Sequence, residues 1–256
     1  MVKRPAVAPA TATKPIATKQ TLTILHLYAE ELNIYGDRGN ILTLVKRLEW
    51  RGIKSTVIQA GIGDKPDIAG ADIIFGGGGQ DHGQVAVGKD LQRHAKALHA
   101  AAAAGTPMLA ICGTYQLFGR GFTTLEGSEI PGIALFKART AASRLRLIGN
   151  VIIDTPLGRL VGFENHSGRT ILEEGQEALG TVVQGCGNDG RSGKEGAVTE
   201  NVYGTYLHGP ILPKNPLLAD HLLLTALRRK YGVESLAPLN DYLEEATAQV
   251  AMRRPQ

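Results

Sequence analysis

Residues 107–117 read Pro-Met-Leu-Ala-Ile-Cys-Gly-Thr-Tyr-Gln-Leu, and this stretch decides the fold because a short buried strand ends in a cysteine where a helix begins. A sharp strand-to-helix turn of this kind lifts the thiol of Cys112 out of the sheet, beside the first free N–H groups of the helix. Those N–H groups stabilise a thiolate and later an oxyanion. Only small residues fit beside such a turn, and Ala110 and Gly113 flank it. The alternative is a buried cysteine that acts as a small hydrophobic side chain.

The first segment that supports a nucleophilic role for Cys112 is a run of glycines. Residues 76–79 are four consecutive glycines, and they follow a second short buried strand at residues 71–75. Successive glycines let backbone N–H groups approach a ligand closely, as an oxyanion hole requires. A flexible loop or a phosphate cradle are the alternatives, but the Gly-Lys-Ser/Thr ending of a nucleotide-binding loop is absent. We therefore interpret Gly78 and Gly79 as part of an oxyanion loop.

The second segment that supports a nucleophilic role for Cys112 contains a histidine. Residues 201–210 read Asn-Val-Tyr-Gly-Thr-Tyr-Leu-His-Gly-Pro, so that a β-rich stretch delivers His208 just before a Gly-Pro turn. A thiol needs a neighbouring imidazole to become a thiolate near neutral pH and to protonate a leaving amine. The other cysteine, Cys186, lies in a glycine-rich loop with no Cys or His at ligand spacing, so we expect neither a second nucleophile nor a metal site there.

The alternation of strands and helices predicts an α/β fold. Strands are expected at residues 22–27, 55–59, 72–75 and 108–111, and helices at 40–51, 88–104, 216–231 and 239–253. Such alternation predicts a doubly wound, mainly parallel sheet flanked by helices, with the active site at the carboxyl ends of its strands. From residue 132 to residue 206 the pattern becomes β-rich, with turns such as residues 155–158.

The composition and charge of the chain indicate how large its domain is and which kinds of partner we do not expect it to bind. The chain has 256 residues and 43% hydrophobic content, enough for one large domain, which we place at residues 21–256. The formal charge of +4 comes from Lys3, Arg4, Lys14 and Lys19, because the first twenty residues contain no acid. We expect residues 1–20 to be a disordered basic extension. The neutral remainder argues against nucleic-acid binding, and we expect no secretion signal, no membrane span and a cytoplasmic location.

Taken together, the glycine-rich loop, Cys-Gly-x-x-Gln and Tyr-Leu-His-Gly resemble the class I glutamine amidotransferases of cobyric acid synthase-like type, whose fold is flavodoxin-like. Two further blocks, residues 28–40 (YAEELNIYGDRGN) and 162–170 (GFENHSGRT), resemble the GatD family of bacterial lipid II isoglutaminyl synthase subunits. The resemblance extends from about Thr21 to about Tyr231. It implies an enzyme that releases ammonia from glutamine.

The resemblance also implies roles for residues. Cys112 would be the nucleophile and His208 the general base and acid, while the loop of residues 77–79 and the N–H of Gly113 would form the oxyanion hole. Gln116 would line the glutamine pocket. An arginine would bind the glutamine carboxylate, and Arg146 fits that role best, with Arg144 and Arg139 as alternatives.

One position departs from the class. Most class I enzymes carry a glutamate two residues after the catalytic histidine, where this chain has Pro210. A carboxylate fixes the tautomer and orientation of the imidazole in a triad. Its absence here leaves either a Cys–His dyad or an acid supplied from elsewhere. Glu164 is one candidate, although we favour a hydrogen-bonded turn or a partner-binding surface for it.

Three function classes remain: a glutaminase subunit, a stand-alone cysteine hydrolase, and a noncatalytic module with a vestigial site. The chain has no visible ATP-binding loop and no cofactor of its own, so the glutaminase subunit would need a partner. The resemblance implies a MurT-like Mur ligase in a heterodimer, which would bind ATP and Mg and amidate D-glutamate of lipid II at the inner face of the cytoplasmic membrane. A corrinoid (cobyrinate) amidotransferase is the alternative within the same class.

Overall fold

The computed structural model describes residues 20–79 and 81–253, although the side chains of residues 81 and 82 are not among those described. The expected basic extension at residues 1–20 therefore lies outside the described residues, apart from Gln20.

Strands and helices alternate through the first half of the chain. In order they are β1 (Thr21–Leu27), α1 (Arg38–Glu49), β2 (Lys54–Ala60), β3 (Ile73–Gly76), α2 (Asp81–Leu91), α3 (Ala95–Ala103), β4 (Met108–Ile111) and α4 (Gly113–Phe118). The second half begins with strands and ends with helices: β5 (Gly121–Thr123), β6 (Glu129–Pro131), β7 (Ala138–Thr155), β8 (Gly158–Leu172), β9 (Gly180–Gln184), β10 (Lys194–Glu195), β11 (Ala197–Thr199), β12 (Val202–Thr205), α5 (Pro216–Tyr231) and α6 (Tyr242–Met252).

The first sheet has six strands in the order β11-β12-β4-β3-β1-β2. Every neighbouring pair in it is parallel except β11 and β12 at one edge. Its central strands β3 and β4 are buried along their whole length, as expected for strands covered on both faces. The predicted mainly parallel sheet is confirmed.

A crevice forms where the strand order reverses. From β1 the chain passes through α1 to β2 on one side, whereas from β3 it passes through α2 and α3 to β4 on the other. Right-handed crossovers in opposite directions place these helices on opposite faces of the sheet. The loops after β1 and β3 consequently separate at the carboxyl ends of the strands, which is where ligands bind in open α/β sheets.

The β-rich segment forms a second sheet, which the sequence pattern did not reveal. Its order is β10-β9-β7-β5-β6, with β8 paired to β7. The long antiparallel β7–β8 hairpin turns at residues 155–158, as expected, and a register shift interrupts it between Ala142 and Leu147. The hairpin also contacts the first sheet. Phe163 of β8 forms an isolated antiparallel β-bridge with His208, which follows β12.

One predicted helix was wrong in its bounds. Residues 88–104 form parts of two helices, α2 and α3, joined by a 3₁₀ turn at Gln92–His94, and α2 begins as early as Asp81. Gly83 and Gly88 lower the helix propensity of α2, so the sequence gives little sign of its start. A Cβ placed on Gly88 would lie 2.6 Å from the Cγ2 atom of Ile130, so this glycine lets α2 pack closely against β6.

Candidate active site

Cys112 lies in a strained turn between β4 and α4. Its backbone has φ +47° and ψ −99°, an uncommon conformation for a residue other than glycine. The Cys112 N–H donates to the carbonyl oxygen of Thr205 at 2.8 Å, which fixes the turn to the neighbouring strand β12. A Cβ on Gly113 would lie 2.6 Å from Gln84 Nε2 and 3.0 Å from the nitrogen of Gly79, so a larger residue there would have to displace the Gln84 side chain. The predicted strand–cysteine–helix geometry is present.

The glycine loop touches both the cysteine and the histidine. A Cβ on Gly78 would lie 3.2 Å from Cys112 Cβ and 2.9 Å from His208 Cε1, so both side chains lie against this glycine. The Gly78 N–H donates to Asp37 Oδ2 at 2.6 Å and is therefore already engaged. The nitrogen of Gly79, in contrast, lies against Gly113. The N–H groups of Gly79 and Gly113 remain the predicted donors of an oxyanion hole, whereas that of Gly78 is used by Asp37.

His208 is fully buried, and its backbone is held by Phe163. His208 N–H donates to Phe163 O at 2.8 Å, and Phe163 N–H donates to His208 O at 3.2 Å. Neither ring nitrogen has a hydrogen-bond partner within the described part of the chain. Burial lowers the pKa of His208 to about 3, with smaller contributions from His166 and Arg146. The imidazole is thus neutral at rest and can accept a proton.

Asp37 is the only carboxylate within 4.0 Å of this imidazole among residues 20–79 and 83–253, whose side chains the structure describes. Its Oδ1 lies 4.0 Å from His208 Nδ1 and has no hydrogen-bond partner there. Burial raises the pKa of Asp37 to about 7, and the hydrogen bond from Gly78 opposes that rise. Asp37 falls within one of the two blocks of family resemblance, but nothing in its spacing marked it as a site residue.

Glu164 is turned away from His208. Its two oxygens accept the N–H groups of Cys186 at 2.6 Å and Gly187 at 2.8 Å. Glu164 lies within strand β8 and not in the hydrogen-bonded turn that we favoured, and its Oε2 lies 3.8 Å from Nε2 of His166. Burial and the nearby Glu164 raise the pKa of the Cys186 thiol, which makes that cysteine a poor nucleophile.

A cavity of about 590 Å³ opens above Cys112. Two amides line it in series: Gln84 Nε2 donates to Gln116 Oε1 at 2.9 Å, and Gln116 Nε2 donates to the Tyr206 hydroxyl at 3.1 Å. Gln84 Oε1 is buried without a partner in the described structure, so one amide oxygen is left to accept a bond. Gln116 was predicted for this pocket, whereas Gln84 was not.

Of the three candidate arginines, the structure brings Arg146 into the cavity. Its Nε and Nη2 atoms donate to the side-chain and main-chain oxygens of Asn165, both at 2.9 Å, which fixes the guanidinium at the cavity wall. Arg139 lies outside the cavity with its side chain 65% exposed, 3.3 Å from Glu173. Arg144 does not line the cavity either.

Five further lining residues were missed by sequence reasoning as site residues. They belong to the two blocks of family resemblance, namely Ile34, Tyr35, Asn165, His166 and Ser167. Tyr35 meets the His208 ring edge-on at 4.9 Å between centroids, and His166 stacks on Tyr206 at 3.6 Å. The blocks signalled membership of a family, but only the fold brings them to the site.

No cluster of three or more His, Cys, Asp or Glu side chains that could hold a metal ion occurs among the described residues. No helix that the structure describes is long and apolar enough to cross a membrane.

Comparison with known proteins is consistent with this geometry. The CobB/CobQ-like glutamine amidotransferase domain matches residues 23–216. The GatD subunit of the glutamine-hydrolysing lipid II isoglutaminyl synthase of Staphylococcus aureus is 41% identical over 210 residues, which cover 82% of this chain and 86% of that protein. Its Streptococcus pneumoniae counterpart is 38% identical over 232 residues, 89% of each. A solved glutamine amidotransferase structure shares the fold, with a TM-score of 0.54 and 15% identity over 79% of this chain and 98% of that one.

Proposed function

The chain belongs to the CobB/CobQ-like glutamine amidotransferases and, within them, to the GatD family, and from that premise we propose how it works. It is the glutamine-hydrolysing subunit of a lipid II isoglutaminyl synthase. Cys112 attacks the glutamine carboxamide, and the ammonia released serves a second subunit. One observation carries the assignment to this site: Cys112, in its strained turn, and His208 both lie against Gly78 of the glycine loop.

Binding comes first. The glutamine α-carboxylate is held by the guanidinium of Arg146 at the cavity wall, since charge-assisted bonds from an arginine suit a carboxylate. The side chain of the substrate then extends toward Cys112. The unpartnered Gln84 oxygen is available to accept an N–H from the bound substrate, and Gln116 orients Gln84.

Hydrolysis follows in two steps. His208 takes the thiol proton, Cys112 Sγ bonds to the carboxamide carbon, and the oxyanion is stabilised by the N–H groups of Gly79 and Gly113. The C–N bond then breaks as His208 returns its proton to the leaving amine, which gives ammonia and a thioester. Water, deprotonated by His208, cleaves the thioester to glutamate and the free thiol. The balance is glutamine plus water to glutamate plus ammonia.

The partner completes the reaction. The relatives are named as subunits of lipid II isoglutaminyl synthase, and this sequence contains no Gly-x-x-x-x-Gly-Lys-Ser/Thr loop. We assign the activation of the acceptor to a MurT-like Mur ligase subunit, which binds ATP and Mg. It activates the D-glutamate carboxylate of the lipid II stem peptide, which ammonia converts to D-isoglutamine. The complex acts at the inner face of the cytoplasmic membrane, where lipid II is presented.

Reconstitution tests this function. Purified chain is incubated with glutamine, ATP, Mg and lipid II, with and without the MurT-like subunit, and the stem peptide is weighed by mass spectrometry. Amidated product is expected only with both subunits. In complexes with Cys112→Ala, product should disappear with glutamine and return with ammonium chloride, because the ligase then receives ammonia directly.

Each of the other possible results would favour a different function. Product from this chain alone would contradict the two-subunit assignment. No amidation of lipid II by an active complex, but amidation of a cobyrinate, would favour the corrinoid alternative. Cleavage of a peptide or ester without glutamine hydrolysis would favour a stand-alone cysteine hydrolase.

A further inference from the structure

We propose that Asp37 is the positioning residue for the catalytic imidazole, and that its carboxylate holds His208 through Oδ1 and the oxyanion loop through Oδ2. This inference rests on the proposed function of Cys112 and His208. It supplies from the loop after β1 the acid that Pro210 cannot provide after the histidine. Asp37 and His208 are 171 positions apart in the chain, and only the fold brings them together.

The two facing atoms are both without other partners in the part of the chain that the structure describes. Asp37 Oδ1 and His208 Nδ1 are fully buried, lack hydrogen bonds and lie 4.0 Å apart. Leaving a buried polar atom without a hydrogen-bond partner is unfavourable. A shift of about 1 Å would bring the pair to hydrogen-bond length, and catalytic hydrogen bonds are often long before substrate binds.

The second oxygen anchors the carboxylate to the oxyanion loop. Gly78 N–H donates to Asp37 Oδ2 at 2.6 Å, so the loop that carries the oxyanion donor Gly79 is held by the same side chain. A Cβ on Gly77 would lie 3.1 Å from both Asp37 Cβ and Oδ2, so the carboxylate rests against the loop. Asp37 also occupies the N-cap of the twelve-residue α1, where the helix dipole favours an anion.

The chemistry requires a negative partner at this place. When His208 takes the thiol proton, an imidazolium forms in a buried site where His166 and Arg146 already disfavour positive charge. An ionised Asp37 accepts the Nδ1–H, which leaves Nε2 for the thiol, and stabilises the imidazolium. The alternative carboxylate, Glu164, is bonded to the N–H groups of Cys186 and Gly187.

Activity should follow the ionisation of Asp37. Burial raises the pKa of this acid to about 7, so the carboxylate is lost as the pH falls through that value, and the rate should fall with it. The groups around His208 are Asp37, Cys112, Tyr35, His166 and Arg146. The pKa of His208, lowered to about 3, places its own protonation far below this range.

The test is Asp37→Asn, assayed in the two-subunit complex. Its kcat for glutamine hydrolysis should fall about 10²- to 10³-fold at pH 8, with KM changed less than twofold. The loss of activity near pH 7 should vanish, and the low rate should be flat from pH 6 to pH 8. Asp72→Asn is the matched control, since Asp72 is also buried and accepts a backbone N–H, from Thr23 at 2.7 Å, but lies at the amino end of β3. It should keep the wild-type kcat and pH profile.

Two results would overturn the inference: Asp37→Asn with wild-type kcat, or a lowered kcat with an unchanged pH profile, which indicates a structural role alone. A second measurement does not need the variant to fold. In wild-type protein with ¹⁵N-labelled histidine, NMR should show His208 protonated on Nδ1, whereas an Nε2–H tautomer would refute the inference. Failure of wild-type protein to hydrolyse glutamine would instead contradict the proposed function, and the NMR result would still decide the place of Asp37.

Discussion

Cys112 has a strained backbone conformation, with a positive φ angle. A non-glycine residue held in such a backbone conformation costs on the order of 1–3 kcal/mol and persists only where its surroundings enforce it. Here the enforcing contacts are the hydrogen bond to Thr205 and the close approach of Gly79 to Gly113. The strain keeps the thiol beside the N–H groups that the proposed oxyanion requires.

A prediction about a single residue also follows for Arg146. Arg146→Ala should raise KM for glutamine about 10- to 100-fold with a smaller effect on kcat, because a hydrogen bond between charged groups contributes about 1.5–3 kcal/mol. Steady-state glutaminase kinetics of the complex measure it. Arg139→Ala is the control, because the exposed Arg139 side chain lies against Glu173, and it should keep the wild-type KM. A raised KM in Arg144→Ala, with none in Arg146→Ala, would move the role to Arg144.

Among the elements, three helices are joined by one buried arginine. Arg47 of α1 is 1% exposed and bonds to Asp220 of α5 at 2.6 and 2.7 Å and to Asp241 at 2.6 and 3.0 Å, just before α6. Arg51 adds a second cation on Asp220 at 2.6 Å. The network fixes the carboxyl-terminal helices to α1, the helix that begins beside Asp37.

Removing this arginine should destabilise the fold. We expect Arg47→Met to lower the free energy of unfolding by about 3–5 kcal/mol, because it leaves carboxylates without their buried partner. Lys46→Met is the control from the same helix: its ion pair with Glu49 is 55% and 61% exposed, and its loss should cost less than about 1 kcal/mol. Denaturant unfolding measures both. Equal losses would contradict the proposed anchoring role.

Sequence patterns revealed the elements whose signals are local. The strand β4 and the helix α5 occur at the predicted residues, because a run of apolar residues marks one and a proline start the other. The early start of α2 was hidden by its glycines. The second sheet was hidden because hydrophobic alternation identifies a strand but not the neighbour with which it pairs.

The distinction between local sequence signals and contacts made only by the fold applies to the site as well. Cys112, the glycine loop and His208 each carry a local signature, and the structure brings them together. Asp37 and Gln84 carry none, since a buried aspartate at a helix start and a glutamine within a helix are ordinary in sequence. Their places follow from the reversal of strand order and from the packing of α2 on α4, which are properties of the fold.

At the scale of the whole molecule, the site is assembled from both sheets. The first sheet supplies Cys112 and the glycine loop at its carboxyl edge, while β8 of the second holds the backbone of His208 through Phe163. The hairpin also brings Arg146 and Asn165 to the cavity wall. A mainly parallel sheet alone would therefore provide the nucleophile but not the proposed pocket for the glutamine carboxylate.

Covalent labelling with a diazoketone analogue of glutamine tests the central claim most directly. The analogue reacts only with a nucleophile that sits in a glutamine pocket, and mass mapping of the peptides locates it. We predict one adduct, on Cys112, which Cys186→Ser retains and Cys112→Ala loses together with at least about 10³-fold of the hydrolysis rate. Modification of Cys186 instead, or glutamine hydrolysis at the wild-type rate by folded Cys112→Ala protein, would contradict the account.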